Sequence, residues 1–120
     1  MASICVFCGS CRGKNERYAA AAQAFGAALA ARGHRLVYGG ASVGLMGILA
    51  DAVLEGGGDV LGVLPEALLP REINHPRLSS LERVATMAER KERMIDVSDA
   101  FVALPGGVGT LDEVFEVLCG

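Results

Sequence analysis

Lysine is nearly absent from this chain: of 120 residues only Lys14 and Lys91 are lysines, and the remaining basic side chains are arginines. Two standard uses of lysine are thereby disfavoured. A pyridoxal phosphate enzyme needs a Schiff-base lysine, and neither neighbourhood offers positive support for one. A P-loop needs lysine directly after its second glycine; Gly39 and Gly44 have the right glycine spacing, but Leu45 and Met46 follow. Net charge is −3, which argues against a nucleic-acid partner held mainly through phosphates. No apolar run is long enough for a membrane span. The N-terminal segment has no basic stretch leading into an apolar one, so it reads poorly as a signal peptide and the cytoplasm is the expected compartment. Low-complexity runs are missing too, and hydrophobic residues make up 52% of the chain, enough for one core; a single domain over residues 1–120 is expected.

The four cysteines include Cys5, Cys8 and Cys11 in a C-x-x-C-x-x-C spacing. An iron–sulfur or zinc reading fails for want of a nearby fourth ligand, and because Cys5 lies inside an apparent strand. Reduced cysteines packed as small apolar residues are the better reading. No metal cluster is evident. His34 and His75 read as surface or loop residues.

What is present alternates. "SICVFCGS", "RLVYGG", "DVLGVLP" and "AFVALP" read as apolar strands, with a weaker strand near Leu81–Val84. Between them, Glu16–Arg32, "GLMGILADAVLEGG" and "MAERKERMIDVS" read as helices, and a further helix opens at Thr110. Gly33 is a natural helix stop. Residues 65–79, with three prolines, read as a loop. Apolar strands alternating with helices predict a three-layer, doubly wound, Rossmann-like parallel sheet. In such a fold the glycine clusters at Gly9, Gly39–Gly40 and Gly106–Gly109 share the carboxyl rim of the sheet, where ligands bind. The first turn, "CGSCRG", lacks the dinucleotide fingerprint, and the second strand ends in Tyr38-Gly39 rather than an acid, so NAD is disfavoured.

"PGGVGT", Pro105–Thr110, suits one phosphate: bare backbone followed by the amide end of a helix. A plain tight turn explains it equally well, because Thr110-Leu111-Asp112-Glu113 also fits a capping box. In "MAERKERM", Glu89 and Arg93 are four apart, so an ion-paired, solvated helix face is the simpler reading.

Taken together, "FCGSCRG", "YGGASVGLMG", "MAERK" and "LPGGVGTLDE" resemble the LOG family, the cytokinin riboside 5′-monophosphate phosphoribohydrolases, whose older label is lysine decarboxylase-like. The specific signal is M-x-x-R-K paired with P-G-G-x-G-T-x-x-E. The resemblance implies hydrolysis of the N-glycosidic bond of an adenine or N6-modified adenine nucleoside 5′-monophosphate, giving free base and ribose 5-phosphate. It places catalytic roles on Arg90 and Glu113. Phosphate or substrate binding falls on Gly9, Ser10, Met87, Lys91, Gly106, Gly107, Gly109 and Thr110. It implies a homodimer and a scheme that needs no metal or cofactor. A non-catalytic carrier of nucleotide or molybdenum cofactor on the same fold is the alternative, and the Arg90–Glu113 pair discriminates against it. Family members continue well past the helix that opens at Thr110. This chain stops at Gly120, so it is expected to be truncated at its C-terminus and to leave a sheet edge bare.

Overall fold

Alanine carries the first helix. Alanine gives up no side-chain entropy on entering a helix, and "ERYAAAAQAFGAALAA" forms α1, Glu16–Ala31. It stops as expected: Gly33 turns to φ +72°, donating its amide to the Ala30 carbonyl while His34 donates to that of Leu29, a Schellman closure. The computed structural model describes residues 1–7, 16–40, 42, 44–66 and 77–104. Besides α1 they form β1 (Ser3–Phe7), β2 (Arg35–Tyr38), α2 (Gly44–Glu55), β3 (Val60–Pro65), β4 (Ser80–Val84), α3 (Met87–Val97) and β5 (Ala100–Ala103). The helix expected from Thr110 lies outside the described residues.

All five strands join one parallel sheet in the order β4-β3-β2-β1-β5. The chain winds outward from β1 to β4 and returns to the other side of β1 for β5. The reversal leaves a switch point between the carboxyl ends of β1 and β5. Phe7 and Ala103 are partners there, and the Leu104 amide donates to the Phe7 carbonyl at 2.9 Å.

Alternation along each strand sorts the core into two layers. Val6, Leu36, Tyr38 and Val60 face α1 and α2, packing with Ala22, Leu45, Leu49 and Val53. Cys5, Phe7, Val37, Leu61 and Val63 face the other way and pack on Met94 of α3. The three-layer expectation holds, and Cys5 is a buried core residue on the α3 side.

One faint expectation is borne out and another needs correction. The weak strand near Leu81 is a full member of the sheet, Ser80–Val84, paired residue for residue with Leu61–Pro65. It read weakly because "SLERV" is not apolar throughout; as an edge strand with half-exposed faces it tolerates charge, which also protects the edge. The expected Glu89–Arg93 pair does not form. Arg93 Nε donates instead to Glu82 on β4 at 2.7 Å, because the Val63–Glu82 register turns Glu82 to the side that α3 covers. Among the described residues no helix is long and apolar enough to cross a membrane.

Candidate functional site

α3 begins with a cap that its own sequence encodes. Thr86, extended at φ −132°, accepts the Glu89 amide on its hydroxyl, and the Glu89 carboxylate accepts the Ala85 amide at 2.9 Å. This is the T-x-x-E capping box, shifted by one residue on its return bond. It fixes the first turn of α3, and with it the rotation that aims Arg90 inward.

Arg90 is 3% exposed, the one charged side chain among the described residues that is buried. Its Nε donates to the Val63 carbonyl at 3.0 Å and its Nη2 to the Gly39 carbonyl at 2.5 Å. Nη1 lies 3.7 Å from the Met87 sulfur. Gly39 directly follows β2 and Val63 is near the end of β3, so the guanidinium bridges the carboxyl ends of two neighbouring strands. Burying a cation is costly unless its donors are met. Charge-assisted bonds to two backbone carbonyls meet that need, and they also hold the guanidinium plane in one orientation. The glycine permits the approach: a Cβ at position 39 would overlap Nη2 and lie 3.0 Å from Cζ.

Met87 is 40% exposed at the mouth of this seat, and Lys91 on the next turn is half-buried. Of the expected site residues, these two and Arg90 are therefore gathered at the start of α3, on the carboxyl rim. Gly9, Ser10, Gly106, Gly107, Gly109, Thr110 and Glu113 lie outside the described residues. The chain runs on toward them from the ends of β1 and β5. From the end of β5 to the β2–β3 gap is two to three strand spacings, about 12 Å at ~4.8 Å each.

Sequence reasoning missed the two carbonyls that seat Arg90. No sequence pattern marks Gly39 as an acceptor for an arginine, and a backbone acceptor such as Val63 has no signature. It also missed the Thr86–Glu89 cap, although the T-x-x-E pattern stood in the sequence. Elsewhere, the His34 Nδ1 accepts the Ala2 amide at 3.2 Å, a structural role. Among the described residues no group of histidine, cysteine and carboxylate side chains is placed to hold a metal.

The family model described as possible lysine decarboxylase matches residues 46–120. The chain is 53% identical over 115 residues to a rice (Oryza sativa subsp. japonica) protein named probable cytokinin riboside 5′-monophosphate phosphoribohydrolase LOGL6, covering 96% of this chain and 46% of the relative. It is 50% identical to cytokinin riboside 5′-monophosphate phosphoribohydrolase LOG3 of Arabidopsis thaliana, covering 96% of this chain and 54% of that relative. The chain thus spans about half the length of the curated relatives it matches. Among solved structures, a Moco carrier protein from Chlamydomonas reinhardtii superposes with a TM-score of 0.84 at 26% identity, over 98% of this chain and 70% of the other. A molybdenum cofactor binding protein from Rippkaea orientalis superposes at 0.83 with 24% identity, over 98% and 71% respectively, which speaks to the fold alone.

Proposed function

The chain belongs to the LOG family, the one whose model is described as possible lysine decarboxylase, and from that premise we propose that it is the core of a hydrolase acting on purine nucleoside 5′-monophosphates. Water adds at C1′, the N-glycosidic bond breaks, and the products are the free base, adenine or an N6-modified adenine, and ribose 5-phosphate. The observation that carries this reading is the seat of Arg90, a buried guanidinium held by two strand-end carbonyls on the ligand-binding rim.

Glycoside cleavage passes through an oxocarbenium-like state: positive charge grows on the ribose and negative charge on the departing base. A pre-oriented cation stabilises the second charge without reorganising during the reaction. Arginine keeps its proton at any working pH, so Arg90 acts through its charge and its donors and does not protonate the base. Glu113 is assigned to the other charge, beside C1′, where a carboxylate can also draw a proton from the attacking water. The amides of Gly106, Gly107 and Gly109 with the Thr110 hydroxyl are assigned to the phosphate. Gly9, Ser10, Met87 and Lys91 are assigned to the substrate's remaining edges. A ligand running from the loop after β5 to the Arg90 seat would lie along the rim, with its phosphate at the glycines and its base near α3. A homodimer and a cytoplasmic location belong to the same reading.

The lysine decarboxylase description finds no support in the residues, since that chemistry needs a committed lysine. A carrier role shares the fold of the Moco carrier neighbour, but the relatives at 50–53% identity carry hydrolase names. Incubation with AMP and with isopentenyladenosine monophosphate, followed by chromatography of the products, tests the proposal. Free base is expected from at least one of them, and its release should be abolished by Glu113→Ala with the fold intact. Tight nucleotide binding without base release would favour the carrier.

A further inference from the structure

Two adjacent glycines end β2, and they are glycines for different reasons. Gly40 has φ +87°, a left-handed conformation that side chains resist. Gly39 is not left-handed, so its backbone would accept alanine. What would not accept alanine is Arg90: a Cβ at position 39 overlaps Nη2, comes within 3.0 Å of Cζ, and meets the Met46 methyl at 3.2 Å. The Gly39 carbonyl is also one of the two acceptors that orient the guanidinium.

We propose that Gly39 is a positioning residue for Arg90, its missing side chain being the slot that the guanidinium occupies and its carbonyl the stop that sets the guanidinium plane. Arg90 cannot retreat within the slot. Its Nε is tied to Val63, and the helix that carries it is fixed at its first turn by the Thr86–Glu89 cap. A methyl group at position 39 therefore pushes the guanidinium out toward the rim, away from both carbonyls.

The kinetic side of this proposal rests on the hydrolase reading; the structural side does not, and the test separates them. In thermal melting of the full chain, Gly39→Ala is expected to lower the midpoint clearly when Arg90 is present and far less in an Arg90→Ala background, where nothing fills the slot. Gly40→Ala is the control: it should lower the midpoint by the same amount in both backgrounds, because its strain lies in the backbone. Equal losses from Gly39→Ala in both backgrounds would overturn the proposal.

In base release from isopentenyladenosine monophosphate or AMP, Gly39→Ala should lower kcat roughly 10- to 100-fold, the scale of a misplacement near 1 Å. KM should stay within about twofold, the signature of an interaction made mainly in the transition state. Arg90→Lys keeps a charge without the Nη2 that meets the new methyl, so adding Gly39→Ala to Arg90→Lys should change kcat less than about twofold, the fork and not the charge being what the slot orients. An unchanged kcat in Gly39→Ala, or the same loss in both backgrounds, sinks the positioning role. If the parent chain frees no base from either nucleotide, the hydrolase reading fails, and the melting comparison still decides whether Gly39 seats Arg90.

Discussion

Arg90 and Arg93 are one turn apart on α3, yet they occupy opposite electrostatic worlds. Arg93 lies on the outer flank, half in water, paired to Glu82 across the helix–strand boundary. Its guanidinium can trade that carboxylate for solvent at little cost, which is why exposed pairs of this kind contribute little to stability. Arg90 faces inward, 3% exposed, and has neutral carbonyls of Val63 and Gly39 as acceptors. Its burial leaves little water to replace those bonds. The difference teaches that position on the helix, and not residue type, decides whether a cation is a solubilising group or a charge fixed against the sheet.

The largest effect should come from emptying the inner site. Arg90→Ala is expected to cut base release about 10²- to 10³-fold, the scale seen when a pre-oriented charge-stabilising group is lost. It should also lower stability, since two buried carbonyls lose their donor at about 1–3 kcal/mol each. Circular dichroism and melting alongside the assay separate the two losses, and Arg90→Lys should retain more stability than activity. A near-normal rate in Arg90→Ala would erase the distinction drawn between the two arginines.

A smaller effect is expected one turn earlier. Thr86→Ala removes the hydroxyl that receives the Glu89 amide and should cost about 1 kcal/mol of stability, read by denaturant titration. Its influence on turnover should be weaker than that of Gly39→Ala, because the cap sets the helix and the slot sets the guanidinium.

Arg93→Ala should have the least consequence, leaving turnover at the parent value. The Glu82 carboxylate, through the hydrogen bond and its charge, raises the Arg93 pKa above the usual arginine value. A raised cation contributes its stability below the unfolded pKa and loses it only as pH climbs through the folded one, beyond the alkaline end of ordinary handling. Melting midpoints of parent and Arg93→Ala should therefore differ by a constant amount from neutral to moderately alkaline pH, and the difference should shrink in high salt. A marked pH dependence in that range, or a turnover loss rivalling that of Arg90→Ala, would place the functional face of α3 elsewhere.

The fold was largely legible because its signals are local. Apolar four-to-six-residue runs, an alanine-rich helix and Gly33 each declare their element, and only β4 was faint, its charges belonging to an edge. The site was legible more narrowly. By spacing alone Glu89 and Arg93 look like a pair, while the structure spends Glu89 on the Ala85 amide and sends Arg93 to a strand. Both choices depend on where β4 lies beside α3, which no helix-only pattern contains. Arg90 was singled out by the M-x-x-R-K resemblance and not by its physics, because two of the acceptors that seat it are backbone oxygens of Gly39 and Val63, invisible to any reading of side-chain types.

The sheet order has a consequence for how the molecule comes into being. β1 is flanked on one side by β2 and on the other by β5, the last described strand, and the Ser3 amide is fastened to the Asp99 carboxylate 96 residues away. Closing so long a loop must precede any reward from the contacts it makes. On the ribosome, β1 can acquire β2 early, but its opposite side must wait until residue 103 has left the exit tunnel. Until β5 arrives, a strand that ends up inside the sheet has one side open, the stage at which a growing chain most needs protection from pairing with its neighbours.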